Sequence, residues 1–205
     1  PGTSAAVMGL FSGLHTKVAV YMLYRLYVQL FDLEQRWNVL IIVIMIISMM
    51  IGAFGGLAEN SIRRVLGYQM LNGMPFILVM LAFTSDDPRR ALAAGIMYTI
   101  HHMLTVGSLI LASGAIEETY GTGLLSKLSG LARRDPIIAW IFAAGAFSVV
   151  GFPPFSGMWG KLMIVFEIAR VGGAWAWIAI AAIIIASFAA FLAMLRVWRK
   201  VFWGK

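Results

Sequence analysis

GFPPFSGMWGK, residues Gly151–Lys161, stands in the middle of an apolar stretch that runs from about Ile137 to Ala169. Pro153 and Pro154 each remove a backbone donor, and Gly151 and Gly157 bracket them, so an unbroken helix cannot pass through. Lys161 follows almost at once. An ammonium group at mid-membrane depth is expensive and marks a functional candidate. Membrane proteins use broken helices of this kind to hold ions near the bilayer midplane. An unbroken helix over the whole stretch would be about 50 Å long, against a hydrocarbon core of about 30 Å. Two offset half-helices, separated at Gly151–Gly157, cross as one discontinuous span.

The rest of the chain agrees with a membrane setting. It has 205 residues, 61% hydrophobic and 12% charged, with a mean hydropathy of +0.88. Soluble domains have about 45–50% apolar and about 25% charged residues. Besides the broken stretch, apolar segments run over Thr3–Phe31, Trp37–Leu57, Val65–Phe83, Ala91–Ile116 and Ala174–Val197. The expected fold is all-α, with about six transmembrane helices, the fifth discontinuous. Short polar connections separate the segments. The longest holds a candidate amphipathic helix at Leu124–Ala132, lying along the membrane surface. Glu59 and Arg63 form a candidate i, i+4 pair. Trp37, Trp175, Trp177, Trp198 and Trp203 fall near segment ends, as interfacial anchors do.

The net charge of +7 is explained without nucleic acid. With six crossings, Arg36, Arg89, Arg90 and Arg170 fall on one side. Arg63, Arg64, Lys127, Arg133, Arg134, Arg196, Arg199, Lys200 and Lys205 fall on the other, which is therefore expected to be cytoplasmic, with both ends of the chain. The absence of cysteine excludes thiolate metal sites, disulfides and CxxC haem attachment. No nucleophile–base pair, metal-ligand spacing, phosphate loop or dinucleotide fingerprint is present, which argues against an enzyme. A start at Pro1, inside an apolar segment, reads as an internal fragment of a longer chain.

Three further ionisable residues lie inside apolar segments. Lys17 is near the middle of the first, and on a helix it shares a face with Tyr21, Tyr24 and Arg25. His101 and His102 are in the fourth, where Tyr98, His101, Thr105 and Ser108 form a polar stripe with His102 at its edge. Histidine exchanges protons near neutral pH, so the stripe is a candidate proton path. Structural pairing, helix–helix hydrogen bonding and haem ligation by His15 with His101 or His102 are the competing readings. No cofactor is expected.

Taken together, SGLHTKVAVYMLYR (Ser12–Arg25), IRRVLGY (Ile62–Tyr68), YTIHHML (Tyr98–Leu104) and GFPPFSGMWGK resemble the proton-translocating antiporter-like membrane subunits. LSGLARRDP (Leu128–Pro136) and LRVWRKVFWG (Leu195–Gly204) add to the likeness. Within that superfamily the set most resembles the D-type subunits of Mrp-type sodium/proton antiporters, and it is related to subunits of respiratory complex I and membrane-bound hydrogenases. The resemblance implies part of a fourteen-helix fold with two inverted five-helix repeats. Residues 1–31 would then be the last helix of the first repeat, and residues 37–197 the second repeat. It implies a proton relay through Lys17, His101, His102 and Lys161, in a bacterial plasma membrane. The implied partners are other membrane subunits, lipid, protons and Na+ or K+. The implied function is monovalent cation/proton antiport, with a proton-pumping complex I or hydrogenase subunit as the alternative. Two departures stand out. Val106 occupies the place where antiporter relatives usually have a lysine, one turn after the second histidine. QMLNGMPF (Gln69–Phe76) replaces the usual Ser-rich start of the third helix.

Overall fold

The computed structural model describes residues 3–204, so Lys205 of the basic C-terminal cluster lies outside the described residues. Five helices are long and apolar enough to cross a membrane. They are α1 (Ala5–Gln29), α2 (Gln35–Ala58), α3 (Ile62–Ala82), α4 (Pro88–Tyr120) and α8 (Gly173–Phe202). A one-turn helix, α5 (Leu131–Arg134), precedes the remaining pair, α6 (Pro136–Val150) and α7 (Ser156–Val171). Those two are the halves of the interrupted span.

The break occupies residues 151–155. Gly151 ends α6 with φ +98°, a conformation that favours glycine, and its N–H closes the last turn onto the carbonyls of Phe147 and Ser148. The peptide between Pro153 and Pro154 is cis. Gly157, expected within the break, instead lies inside the first turn of α7. The chain resumes its helix as soon as the prolines end.

α3 and α4 are central. α3 packs between α2 and α4, and α4 also meets α1, α6 and α7. α8 closes the bundle by lying against α2. α4 is longer than the apolar pattern predicts, at 33 residues. The Asp87 carboxylate accepts from the N–H groups of Arg89 and Arg90, with Pro88 at the first helical position. Gly121, with φ +69°, terminates the other end. Capping therefore sets the ends of α4, and hydropathy marks only its middle.

One end of the bundle is tied together by the basic residues. Arg196 on α8 donates to the carbonyls of Leu57 and Glu59, 2.6 and 2.7 Å away, at the end of α2. A cation suits the negative end of a helix dipole. Arg63 pairs with Glu117 of α4, and Glu59 pairs with Arg64 at 3.5 Å. The expected Glu59–Arg63 pair is thus not formed, because Glu59 precedes the start of α3 in extended backbone and no i, i+4 face exists there. Arg196→Leu leaves two carbonyls without their donor. It is expected to destabilise the bundle by about 1–3 kcal/mol, seen as a lower thermal unfolding midpoint in detergent. An unchanged midpoint would count against the clamp.

The predicted amphipathic helix at Leu124–Ala132 is absent. Ser61 and Leu124 form an isolated antiparallel bridge, with Ile62 N–H donating to Gly123 O and Leu125 N–H to Asn60 O. Leu125 and Leu128 are buried beneath this loop, and Gly130, at φ +69°, starts α5. Backbone pairing with the α2–α3 turn holds the segment down, where a surface helix would lie free.

Candidate functional site

The site begins at an irregular turn in α1. Residues Phe11–His15 form a π-helical turn in which the Thr16 N–H reaches back to Phe11 O. Such turns are wider than α-helix and often mark functional positions. Here the Ser12 carbonyl accepts the Thr16 hydroxyl at 2.9 Å and the Lys17 ammonium at 2.5 Å. Lys17 also donates to Thr16 Oγ1 at 3.2 Å. Its side chain is 6% exposed, so the amine is folded back on its own helix and kept inside the bundle.

The middle of the site lies on α4. His101 and His102 are 3% and 1% exposed. Tyr98, also buried, stacks on Phe76 of α3 at 5.4 Å between centroids and faces both histidine rings, at 5.1 and 6.1 Å. Among the described residues, neither nitrogen of His102 has a hydrogen-bonding partner within bonding distance, nor does His101 Nε2. Gln69 and Asn72 of α3 are buried, and Gln69 Nε2 and Asn72 Oδ1 are likewise unpartnered. Gly73 lets α3 approach this group, since a Cβ there would overlap the His102 ring. Gly73→Ala is therefore expected to push α3 from α4 and cost about 1–3 kcal/mol of stability. Chemical denaturation in detergent checks this; a wild-type midpoint would mean that the ring moves aside freely.

The histidines reach the broken span through hydroxyl groups. His101 Nδ1 lies 2.8 Å from Ser156 Oγ at the start of α7, and Ser156 Oγ lies 3.2 Å from Ser148 Oγ near the end of α6. Ser148 is 3.3 Å from Thr105 Oγ1, which is 3.3 Å from His101 Nδ1. These four atoms close a ring across the break. Beyond it, the half-buried Lys161 donates to Val150 O at 2.7 Å and to Val149 O at 3.3 Å. Those carbonyls end α6, where the helix dipole attracts a cation. The Lys161 ammonium also sits 5.4 Å from the centroid of Phe76, an aromatic face that favours positive charge.

α1, which carries Lys17, packs against α4, and α7, which carries Lys161, packs against the same helix. The structure thus brings His101, His102 and Lys161 to the break on α4 and α7, and holds Lys17 inward on the neighbouring α1. Two residues expected to support these groups fall elsewhere. Tyr21 is 64% exposed, with the Arg25 guanidinium 5.9 Å from its ring centroid. Tyr24 is the inward tyrosine, and its hydroxyl donates to Ile77 O at 2.6 Å. A seven-residue offset from Lys17 lies about 20° from its direction, whereas four residues lie about 40° to the other side. Ser108 is exposed too, and its hydroxyl donates to Leu104 O. His15 faces outward against Phe11, away from the buried pair, so it offers His101 and His102 no axial partner. Val106 is fully buried in an apolar cluster with Leu109 and Ile110.

Ser148 and Ser156 were not singled out from the sequence, nor were Gln69 and Asn72 as members of the site. Flanking the break was the only signal the serines gave. An open cleft of about 850 Å³ lies elsewhere, at the basic end, lined in part by Arg63, Arg64 and Glu117.

A multi-pass α-helical membrane protein with one interrupted span is the class that these observations define. The chain belongs to the family described as NADH:quinone oxidoreductase/Mrp antiporter, transmembrane, whose model matches residues 2–191. It is 30% identical over 203 residues to the D-type subunit of the Na+/H+ antiporter of Bacillus subtilis, covering 98% of this chain and 40% of that one. To the N-type subunit of the NADH-quinone oxidoreductase of Hydrogenovibrio crunogenus it is 29% identical over 185 residues, covering 89% and 38%. A chain in the structure of the Mrp complex from Dietzia sp. DQ12-45-1b superposes with a TM-score of 0.93 at 38% identity, covering 99% of this chain and 37% of that one. The chain therefore spans about two-fifths of the length of these relatives.

Proposed function

We propose that the chain is part of an ion-translocating membrane subunit of a multi-subunit monovalent cation/proton antiporter. The buried Lys17, His102 and His101, together with Lys161 bonded to the end of a broken helix, support this reading. Protons pass along these groups, and each amine alternates between charged and neutral forms as its neighbours change charge. A charge arriving on His101 or His102 repels the proton on Lys161. The carbonyl end of α6 restores that proton's affinity when the histidines are neutral. Na+ or K+ is the counter-ion, and other membrane subunits complete the assembly. Residues 1–31 are the last helix of a first repeat and residues 37–197 a second repeat. The basic end faces the cytoplasm of a bacterial cell.

The likeness to the N-type subunit of an NADH-quinone oxidoreductase supports a second reading, a proton-pumping component powered by redox chemistry elsewhere. Lys161 argues against one complex I subunit, whose second broken helix is expected to carry a glutamate. The test is made on the complete transporter in everted vesicles. Na+ addition is expected to release a preformed pH gradient without any quinone substrate. Replacing both His101 and His102 by alanine is expected to reduce that release at least tenfold. Release unchanged in the double variant would overturn the relay, and release that requires NADH would favour the second reading.

A further inference from the structure

The relay needs a histidine that exists in two charge states inside an apolar bundle. The ring His101 Nδ1–Ser156–Ser148–Thr105 meets that need in a way that lysine and histidine alone do not. We propose that Ser156 and Ser148 are positioning residues whose hydroxyls reverse direction as His101 gains and loses its proton, so both forms stay hydrogen-bonded across the helix break. This rests on the proton relay proposed above.

Each hydroxyl in the ring has one proton to donate and lone pairs to accept with. With the His101 proton on Nε2, Ser156 donates to Nδ1, Ser148 to Ser156 and Thr105 to Ser148. When a proton arrives on Nδ1, the N–H donates to Ser156 Oγ at 2.8 Å. Ser156 then donates to Ser148 across 3.2 Å, and Ser148 to Thr105 across 3.3 Å. The Thr105 hydroxyl turns to a carbonyl one turn back on its own helix, a bond open to threonine in any helix. No heavy atom need move. Each hydroxyl keeps one proton throughout, so the only net change is the proton gained or lost at the imidazole.

The location supports the assignment. Val106 stands, fully buried, where the family resemblance leads one to expect a lysine, and the hydroxyl of its neighbour Thr105 is in the ring. Ser148 and Ser156 lie on opposite sides of the break, so the ring also ties α6 to α7. Among the described residues, the titratable or charged groups nearest His101 are Tyr98 and His102 on α4 and Lys161 on α7, with Lys17 buried on the neighbouring α1. α3 offers only the neutral Gln69 and Asn72, and α6 only Ser148. The serines are therefore the groups on the broken span that touch Nδ1 or its partner without carrying charge.

The experiment measures cation-driven proton release against pH in the complete transporter reconstituted in vesicles, for wild type, Ser156→Ala, Ser156→Thr, Ser148→Ala and His101→Ala. Charge-assisted hydrogen bonds are the stronger ones, so removing the Ser156 hydroxyl penalises imidazolium more than imidazole. The acid limb of the wild-type profile is expected to move to lower pH by about one unit in Ser156→Ala. Ser156→Thr, which keeps the hydroxyl, is expected to restore it. Ser148→Ala, one bond further away, is expected to move it less and in the same direction; it serves as the test if Ser156→Ala fails to assemble. A wild-type profile in the assembled serine-to-alanine variants, with His101→Ala inactive, would overturn the inference. Wild-type transport by His101→Ala would instead overturn the relay beneath it.

Discussion

Lys161→Ala in the complete transporter is expected to abolish cation-driven proton movement while leaving the assembly intact. The ammonium is bonded to Val150 O and Val149 O and faces the Phe76 ring. Removing it deletes the one ionisable group on the broken span that faces the histidines, and small polar groups or water can satisfy the two carbonyls. The effect on folding is thus modest, and the effect on transport is at least tenfold. Lys161→Arg sharpens the test. Arginine keeps the charge but does not release its proton in a protein, so that variant is expected to be inactive as well. An active arginine variant beside an inactive alanine variant would mean that a fixed charge is enough. Normal pH changes in Lys161→Ala would remove the residue from the path.

Gly157→Ala is expected to have the second large effect. A Cβ at this position would overlap the Ser148 carbonyl oxygen and lie 3.0 Å from His101 Cε1. Neither neighbour yields easily, since one is backbone and the other a buried ring. The two half-helices must separate, and the hydroxyl ring opens with them. Overpacking of this kind costs about 1–3 kcal/mol, so both the unfolding midpoint and the transport rate should fall, the rate by roughly tenfold. Gly107→Ala is the control, because nothing among the described residues lies within 4 Å of its added Cβ. Equal transport by the two variants would show that the close contact at Gly157 has no functional weight.

Much of the fold was legible in the sequence, because segment length and apolarity are read directly against bilayer thickness. The interruption was legible for a related reason: two adjacent prolines have one local meaning wherever they occur. The inward placement of Lys17, His101, His102 and Lys161 followed from the expense of ionisable groups in lipid. Finer features depended on information that a face diagram lacks. Tyr21 and Tyr24 are both compatible with the face of Lys17, and packing against Ile77 selects the second. Ser108 shares the stripe of His101, yet its one side-chain bond is to its own helix. The π-turn at Phe11–His15 has no compositional signature, so the Ser12 carbonyl that receives Lys17 was invisible. Small polar residues such as Ser148 are common between membrane helices, and only coordinates select the ones that meet. The loop at Leu124–Ala132 was misread because its hydrophobic pattern reflects burial under a distant turn, which local periodicity cannot distinguish from an amphipathic helix.

The bond of Arg196 to the end of α2 has a mechanical consequence. It fastens the last long helix to the second, whereas α1 rests on the bundle chiefly along α4. In a bundle whose long helices are fastened together, deformation concentrates at the weakest joint. Here that joint is the five-residue gap between α6 and α7, where no helical ladder resists bending. A push from a neighbouring protein on α6, α7 or α8 would accordingly be felt where Lys161 meets the carbonyls of Val149 and Val150.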